Sequence, residues 1–332
     1  MNNAHIEVQN LSKTYRVPQR QSGLGAALRS LARREYTEVT AVSHLSFTIQ
    51  PGEMVGFIGP NGAGKTTTLK MLAGLLHPSG GTAVIDGYIP WERQPDYLRR
   101  ISMVLGNKSQ MLWDIPPLDT FHVLGEIYGL DKTAWQQTVD ELTAVLQMED
   151  LLTKPVRNLS LGERMKCELV AALLHRPSVL FLDEPTLGLD VSMQRRLRQF
   201  IADTNRRTGA TMILTSHYMA DVAELCPRVI LIHHGRLLYD GLLGQLSDQL
   251  APFKLIRLTL DRDNGSADWR ERLPEGTAVL NPDPANLTLR VPRRETSAIT
   301  AYLLNTLPVV DLSVENPPLE AVIDQIYQEA AV

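Results

Sequence analysis

Gly59-Pro60-Asn61-Gly62-Ala63-Gly64-Lys65-Thr66 completes the pattern G-x-x-x-x-G-K-[ST], and its reading decides the fold. Before it, Glu53 to Ile58 is a largely apolar run that reads as a buried strand. After it, Thr67, Leu69, Met71, Leu72 and Leu75 recur in a helical pattern. A strand, a glycine-rich loop and a helix in that order let successive backbone N–H groups face one anion, with the positive end of the helix pointing the same way. The glycines supply the required curl and keep any Cβ out of the anion's approach. On this reading Lys65 pairs with the β- and γ-phosphates of a nucleoside triphosphate, and the Thr66 hydroxyl ligates Mg²⁺. The competing account, a glycine-rich turn that merely precedes a lysine, gives no reason for the filled pattern or for its two flanks.

A chain of 332 residues, 44% apolar and 21% charged, suits one large soluble domain with a smaller one beside it. A net charge of −4 supplies no electrostatic reason to expect nucleic acid. Cys167 and Cys226 stand in no metal-like spacing and read as small buried hydrophobes. The start, Met1 to His5, has neither the charge nor the apolar run of a secretory leader. The most apolar part, Leu169 to Leu182, is broken by His175-Arg176-Pro177, so no run reaches the roughly 18 residues of a bilayer span. The expectation is a cytosolic chain whose membrane role, if it has one, comes through a partner.

Outward from the phosphate loop, Ile6 to Val8 and Leu45 to Ile49 read as short strands, with an arginine-rich insertion from about Val17 to Glu38 between them. Within the insertion, Leu24, Ala27, Leu28 and Leu31 recur at helical spacing, predicting a short amphipathic helix that either docks on a membrane protein or lipid headgroups or lies on its own domain. A helical subdomain is expected over about 107–175. Val179 to Leu182, Met212 to Leu214 and Val229 to Ile232 are continuous apolar runs of the kind that form parallel strands covered on both faces. Strand–helix alternation predicts a doubly wound α/β core with a helical insertion. Beyond Gly244 the texture changes. Lys254 to Leu260, Leu287 to Val291 and Val310 to Val314 alternate as strands, with helices expected near Ala267–Leu273, Glu295–Leu307 and Leu319–Ala330. The domains predicted are 1–246 and 247–332, the second a small two-layer α/β domain of ferredoxin-like type.

Two acids close the apolar run at Val179: Asp183 and Glu184. Ligands in such sheets bind beyond the carboxyl ends of the strands, where the phosphate loop also lies. Asp183 there can hold Mg²⁺, directly or through water, and Glu184 can polarise an attacking water. Either acid alone could as well be a solvated strand end. Upstream, Leu159-Ser160-Leu161-Gly162-Glu163 precedes a helix, and Ser160 with Glu163 satisfies the S-x-x-E capping box, which taken alone favours a purely structural helix start.

Order and spacing shift that balance. Phosphate loop, Leu159–Glu163, Asp183-Glu184, Leu187-Gly188-Leu189-Asp190 and Thr215-Ser216-His217 succeed one another as they do in the ATP-binding subunits of ABC transporters, and the resemblance runs from about His5 to Leu246. It implies that two copies of the chain pair head to tail around ATP and work on a separate multi-span membrane permease, at the cytoplasmic face of the inner membrane. Gly59, Pro60, Asn61, Gly62, Ala63, Gly64, Lys65, Thr66 and Thr67 would hold the phosphates. Ser160, Gly162 and Glu163 would meet the γ-phosphate from the other copy, Leu161 standing where the family's commonest form has glycine. Asp190 matches the residue that links the two sites, Tyr15 the aromatic that stacks on adenine, and His217 the histidine that contacts the γ-phosphate and the attacking water. Glu184, His217 and Lys65 form the implied catalytic set.

One position departs from the family. Where a glutamine touches Mg²⁺ after the third core strand, this chain has Asn107, with Gln110 three residues on as the equivalent only if the loop were remodelled. Within the family, the wording of the phosphate loop and a C-terminal domain from about Ala251 resemble the bacterial export branch that handles drugs, sodium and antibiotics. The alternatives are a polysaccharide-export ATPase, whose extension is usually a larger β-sandwich, and a soluble ABC ATPase acting in DNA repair or translation, which generally carries tandem cassettes, coiled coils or zinc inserts. A degenerate, nonhydrolysing cassette is a further rival; Glu184 and His217 argue against it and Asn107 for it.

Overall fold

The computed structural model describes residues 5–18, 36–106, 108–216, 218–250, 253–261 and 269–330, which fall into two compact units, Met1–Gly241 and Leu242–Val332. The strands of the first are β1 (Ile6–Pro18), β2 (Tyr36–Ile49), β3 (Met54–Ile58), β4 (Gly80–Ile85), β5 (Ile101–Leu105), β6 (Val179–Asp183), β7 (Thr211–Thr215), β8 (Arg228–His233) and β9 (Arg236–Leu242). Its helices are α1 (Lys65–Leu72), α2 (Pro95–Leu98), α3 (Pro117–Tyr128), α4 (Lys132–Leu146), α5 (Leu161–Leu173), α6 (Val191–Thr208) and α7 (Met219–Leu225).

The apolar runs do what their composition demands. Every residue of β3, β6 and β7 is buried, and these strands pair in parallel inside a six-stranded sheet of order β5-β6-β7-β3-β8-β9. Strands apolar on both faces must be covered on both, which is why they lie inside the sheet and not at its edge. The phosphate loop leaves the carboxyl end of β3, while β6 ends at Asp183 and β7 at Thr215, so three strand ends converge on one side of the sheet. A three-stranded antiparallel sheet, β2-β1-β4, contributes to the same core, in which Ile6, Val8, Leu45, Phe47 and Ile49 pack with Phe57, Leu69, Met71 and Phe181.

One expectation needs correction here. The short strands read at Ile6–Val8 and Leu45–Ile49 are parts of much longer ones, β1 and β2, which pair as far as Pro18 opposite Tyr36. The ends of the arginine-rich insertion are therefore strand, with β-branched Val17 opposite Thr37 and Arg16 paired to Glu38 at 3.1 Å. The helix predicted over Leu24–Leu31 lies outside the described residues.

Helix starts and stops follow local chemistry. Pro117 occupies the first turn of α3, where its missing N–H costs nothing, and Gly129 closes that helix in the left-handed region at φ 65°. Asp131 caps α4 by accepting from the backbone N–H groups of Thr133 and Ala134. On α4, Trp135, Thr138, Val139, Leu142, Thr143 and Leu146 form the buried stripe expected of an amphipathic helix, and the Trp135 indole N–H donates to Phe121 O at 3.0 Å. Phe121 is fully buried, a core residue of this helical region. Cys167 and Cys226 are buried and make no disulfide.

In the second unit, α8 (Leu243–Leu250) precedes β10 (Phe253–Leu260), β11 (Ala278–Asn281), β12 (Leu287–Pro292), α9 (Thr296–Thr306), β13 (Val309–Glu315) and α10 (Leu319–Ala330). The antiparallel order β11-β12-β10-β13 is that of a ferredoxin-like sheet. Alternation sets the faces: Ile256, Leu258 and Leu260 of β10 meet Leu287, Leu289 and Val291 of β12 in one core with Ile299 and Leu303 of α9. The helix expected near Ala267–Leu273 is only a 3₁₀ turn over Trp269–Arg272, with 262–268 outside the described residues. Pro274 accounts for the stop, because it disfavours helical backbone at the residue before it.

Candidate functional site

The helix that starts at Lys65 does so from a left-handed glycine. Gly64 has φ 105°, and a Cβ there would stand 2.4 Å from Ala41 O, so the turn into α1 demands glycine both for conformation and for space. Lys65 is buried and its Nζ donates to Gly59 O at 2.6 Å and Pro60 O at 3.2 Å. The ammonium thus lies folded over the loop that a phosphate would enter. Burial pulls its pKa below the ordinary lysine value, and the carboxylates of Glu184 and Asp183 oppose that shift.

Across the loop, the parallel register sets Asp183 beside Thr215 on β7. The Asp183 carboxylate accepts the Thr66 hydroxyl at 2.8 Å on one oxygen and the Thr215 hydroxyl at 2.7 Å on the other. A buried carboxylate joined to a hydroxyl at the phosphate loop is a hard-oxygen donor set, which suits a magnesium ion that keeps waters and phosphate oxygens as its other ligands. The next residue, Glu184, has φ 55°, in the left-handed region, and its backbone N–H donates to both Thr215 O at 3.0 Å and Thr215 Oγ1 at 3.1 Å. A non-glycine residue held there stores local strain, of the kind that clusters at working sites and persists only where its surroundings fix it.

The loop after β5 packs onto the same strand end. Gly106 N donates to Asp183 O at 2.8 Å, and a Cβ on Gly106 would stand 2.4 Å from Glu184 O. Glycine is therefore obligatory where this loop crosses the two acids. Asn107 lies outside the described residues. Gln110, the other candidate in that loop, is engaged elsewhere: its backbone N–H donates to the Glu168 carboxylate at 3.0 Å and its side-chain amide to Glu168 O at 3.3 Å. Glu168 also accepts the Ser109 hydroxyl and the Met111 N–H. Burial pushes the Glu168 carboxyl up, and these donors oppose it.

Ser160 and Glu163 form the reciprocal capping box of α5. Ser160 Oγ accepts from Glu163 N at 3.3 Å, and Glu163 Oε2 accepts from Ser160 N at 2.8 Å. The Ser160 backbone N–H, more than its hydroxyl, holds the Glu163 carboxyl below the usual range. Leu161 is exposed, and its Cδ2 would lie 2.8 Å from a Cβ on Gly188, so the segment abuts the turn that leads to Asp190. Asp190 caps α6 through Met193 N at 2.9 Å. Tyr15 projects from the long hairpin opposite Val39, with the Lys13 ammonium 5.4 Å from its ring centroid. His217 lies outside the described residues.

Lys65, Thr66, Asp183 and Glu184 are thus brought together within one chain. Ser160, Gly162 and Glu163 stand at the start of a different helix and, among the described residues, make no hydrogen bond to the phosphate loop. The sequence reading assigned no role to Thr215, Gly106 or Glu168. Thr215 enters the sequence reading only as the residue before Ser216-His217.

The site's neighbours are known. Residues 42–187 match the ABC transporter family, and residues 252–315 match the C-terminal domain of EvrA-like ABC transporters. The ABC transporter ATP-binding protein NatA of Bacillus subtilis is 36% identical over 208 residues, covering 63% of this chain and 84% of that protein. The daunorubicin/doxorubicin resistance ATP-binding protein DrrA of Streptomyces peucetius is 30% identical over 86% of this chain and 88% of its own length. A Nod factor export ATP-binding protein I of Burkholderia lata is 36% identical over 76% of each. Among solved structures, the ATP-binding subunit of an ABC transporter superposes with a TM-score of 0.62 at 26% identity, over 74% of this chain and 93% of that one. A dimeric, post-hydrolysis ATP-binding cassette bound to ADP and Pi shares the fold at a TM-score of 0.60 and 21% identity.

Proposed function

We propose, for a chain that belongs to the ABC transporter family, that two copies meet head to tail, enclose ATP, and use its hydrolysis to drive export through a separate multi-span permease. That the chain is an ABC ATPase of the type found in export systems follows from its relatives. The observation that carries the two-copy reading is the division of the site. One chain assembles Lys65, Thr66, Asp183 and Glu184, while Ser160 and Gly162 lie at a capped helix start that, among the described residues, makes no hydrogen bond to the phosphate loop of its own chain. The exposed N-terminus of α5 is good anion chemistry for the γ-phosphate held by the other copy.

In this account the incoming phosphates replace Gly59 O and Pro60 O as partners of Lys65. Gly59 through Thr67 hold them by backbone N–H groups and the Lys65 charge. Thr66 and Asp183 would hold a magnesium ion, which neutralises charge on the phosphates when bound. Glu184, fixed by Thr215, accepts a proton from the attacking water, and His217 is assigned to the γ-phosphate by family position alone. Tyr15 stacks on adenine. Asp190 links the two sites across the dimer. Asn107 is retained as the metal-side residue of its loop, because Gln110 is committed to Glu168. We assign 1–246 to the ATP-binding domain and 247–332 to an accessory domain.

No described helix is long and apolar enough to cross a membrane. We place the chain as a peripheral subunit at the cytoplasmic face of the inner membrane, with a membrane protein and not nucleic acid as its partner. The contact is assigned to the loop after β5. Trp113 is 50% exposed, with the Arg164 guanidinium 5.1 Å from its ring centroid, yet its carbonyl is anchored by Arg157 N at 3.0 Å. An exposed tryptophan on a fixed backbone is a suitable interface anchor. Co-expressed with its permease, the chain should fractionate with membranes, and Trp113→Glu should release it while ATP binding stays unchanged. Recovery of nucleic acid or ribosomes in pull-downs, with no multi-span protein, would overturn the transport reading.

A further inference from the structure

A carboxylate that none of the site motifs contains lies buried beside the catalytic strand ends. Asp221, on α7, is wholly shielded from solvent. Its Oδ2 accepts two hydroxyls, from Thr186 at 2.5 Å and Ser216 at 2.6 Å, and its Oδ1 accepts Arg198 Nη1 at 2.9 Å. Each donor comes from a different working segment. Thr186 lies two residues beyond Glu184; Ser216 follows Thr215 at the end of β7; Arg198 is on α6, whose first turn Asp190 caps.

The ties continue outward. Ser216 Oγ also accepts the Tyr218 N–H at 3.0 Å, so its hydroxyl is fixed from both sides. One turn before Arg198, Gln194 Nε2 donates to Leu189 O at 3.2 Å and Thr186 O at 3.4 Å. Arg198 Nε also donates to Glu224 at 2.6 Å, so the guanidinium spans two carboxylates. Burying a carboxylate and a guanidinium together seldom stabilises a fold more than apolar packing of the same volume would. What such a network supplies is a single arrangement of the elements that donate to it.

We propose that Asp221 is a positioning residue for hydrolysis. It ties the Glu184–Thr186 turn, Ser216 and the body of α6 at Arg198 to one another, so that the general base and the Asp190 corner keep one relative placement. The inference rests on the reading of this site as an ATPase. Small displacements of a catalytic group cost rate without costing substrate affinity, so the signature is a fall in kcat at steady KM.

The decisive pair of variants is at Thr186, which is almost fully buried. Thr186→Val keeps the volume and removes the hydroxyl; Thr186→Ser keeps the hydroxyl and leaves a methyl-sized void. ATP hydrolysis by the purified full chain is measured as kcat per ATP-binding site, together with KM. Thr186→Val should lower kcat by about 10–100-fold with KM within about threefold, and Thr186→Ser should stay within about threefold of wild type in both. Ser216→Ala should resemble Thr186→Val, and the double variant should fall short of the product of the two, because both act through one oxygen. Should Asp221→Asn fail to fold, these variants still decide the matter. Wild-type kcat in Thr186→Val, or a larger loss in Thr186→Ser than in Thr186→Val, would overturn the inference and leave a packing role. A wild-type chain that binds ATP and never hydrolyses it would overturn the ATPase reading, and this inference with it.

Discussion

Replacing Glu184 by glutamine is expected to lower steady-state ATP turnover by about 10²–10⁴-fold, the usual contribution of a positioned general base. The substitution keeps the shape of the side chain and leaves untouched the backbone ties to Thr215 O and Oγ1 that hold residue 184 in its left-handed conformation. What disappears is the capacity to take a proton. ATP binding should therefore persist with affinity near that of the wild type, read by a fluorescent nucleotide or calorimetry. Turnover close to wild type, measured as phosphate release, would remove Glu184 from the role of base.

Lys65→Ala should act earlier, on binding. The ammonium lies folded over the phosphate loop, and a hydrogen bond involving a charged group contributes about 1.5–3 kcal/mol, or roughly 10–150-fold in Kd. Burial already depresses the Lys65 pKa, while Glu184 and Asp183 work to keep the ammonium charged. Incoming phosphates add negative charge and should raise the pKa further toward its ordinary value, so binding strengthens the cation that attracts it. A titration in which Lys65→Ala binds ATP as tightly as wild type would place the triphosphate elsewhere.

These two residues were legible because their chemistry is local. A phosphate loop needs its glycines and lysine within eight consecutive positions, and the apolar strands on either side are uniform enough to read without an alignment. The acids at 183 and 184 were legible for the same reason, as the polar end of an apolar run. What stayed hidden depends on chain segments meeting across the fold. Thr215 becomes a ligand of Asp183 only through the register of β6 with β7. The commitment of Gln110 to Glu168 spans 58 positions, and that of Asp221 to Thr186 spans 35. No periodicity encodes either pairing.

The same distinction runs through the fold. Strands β10, β12 and β13 announce themselves by alternation, whereas β11, four residues long and exposed for most of its length, offers no core face to betray it. The hairpin of β1 and β2 was underread because its outer half carries exposed pairs such as Arg16–Glu38 in place of apolar ones. Capping is the opposite case: Ser160-x-x-Glu163 was read as a capping box and is one. That structural role does not compete with the proposed one, since a well-capped helix start fixes Ser160 where a second chain's phosphate can reach it.

The central claim, an ATP site completed by a second copy, is tested most directly by the mass of Glu184→Gln in solution with and without Mg²⁺ and ATP, using light scattering during gel filtration. The account predicts a monomer without nucleotide and a stable species of twice that mass with it, and a return to monomer when Ser160→Arg is added to block the anion-binding end of α5. Glu184→Gln that binds ATP stoichiometrically yet stays monomeric at every protein concentration would contradict it.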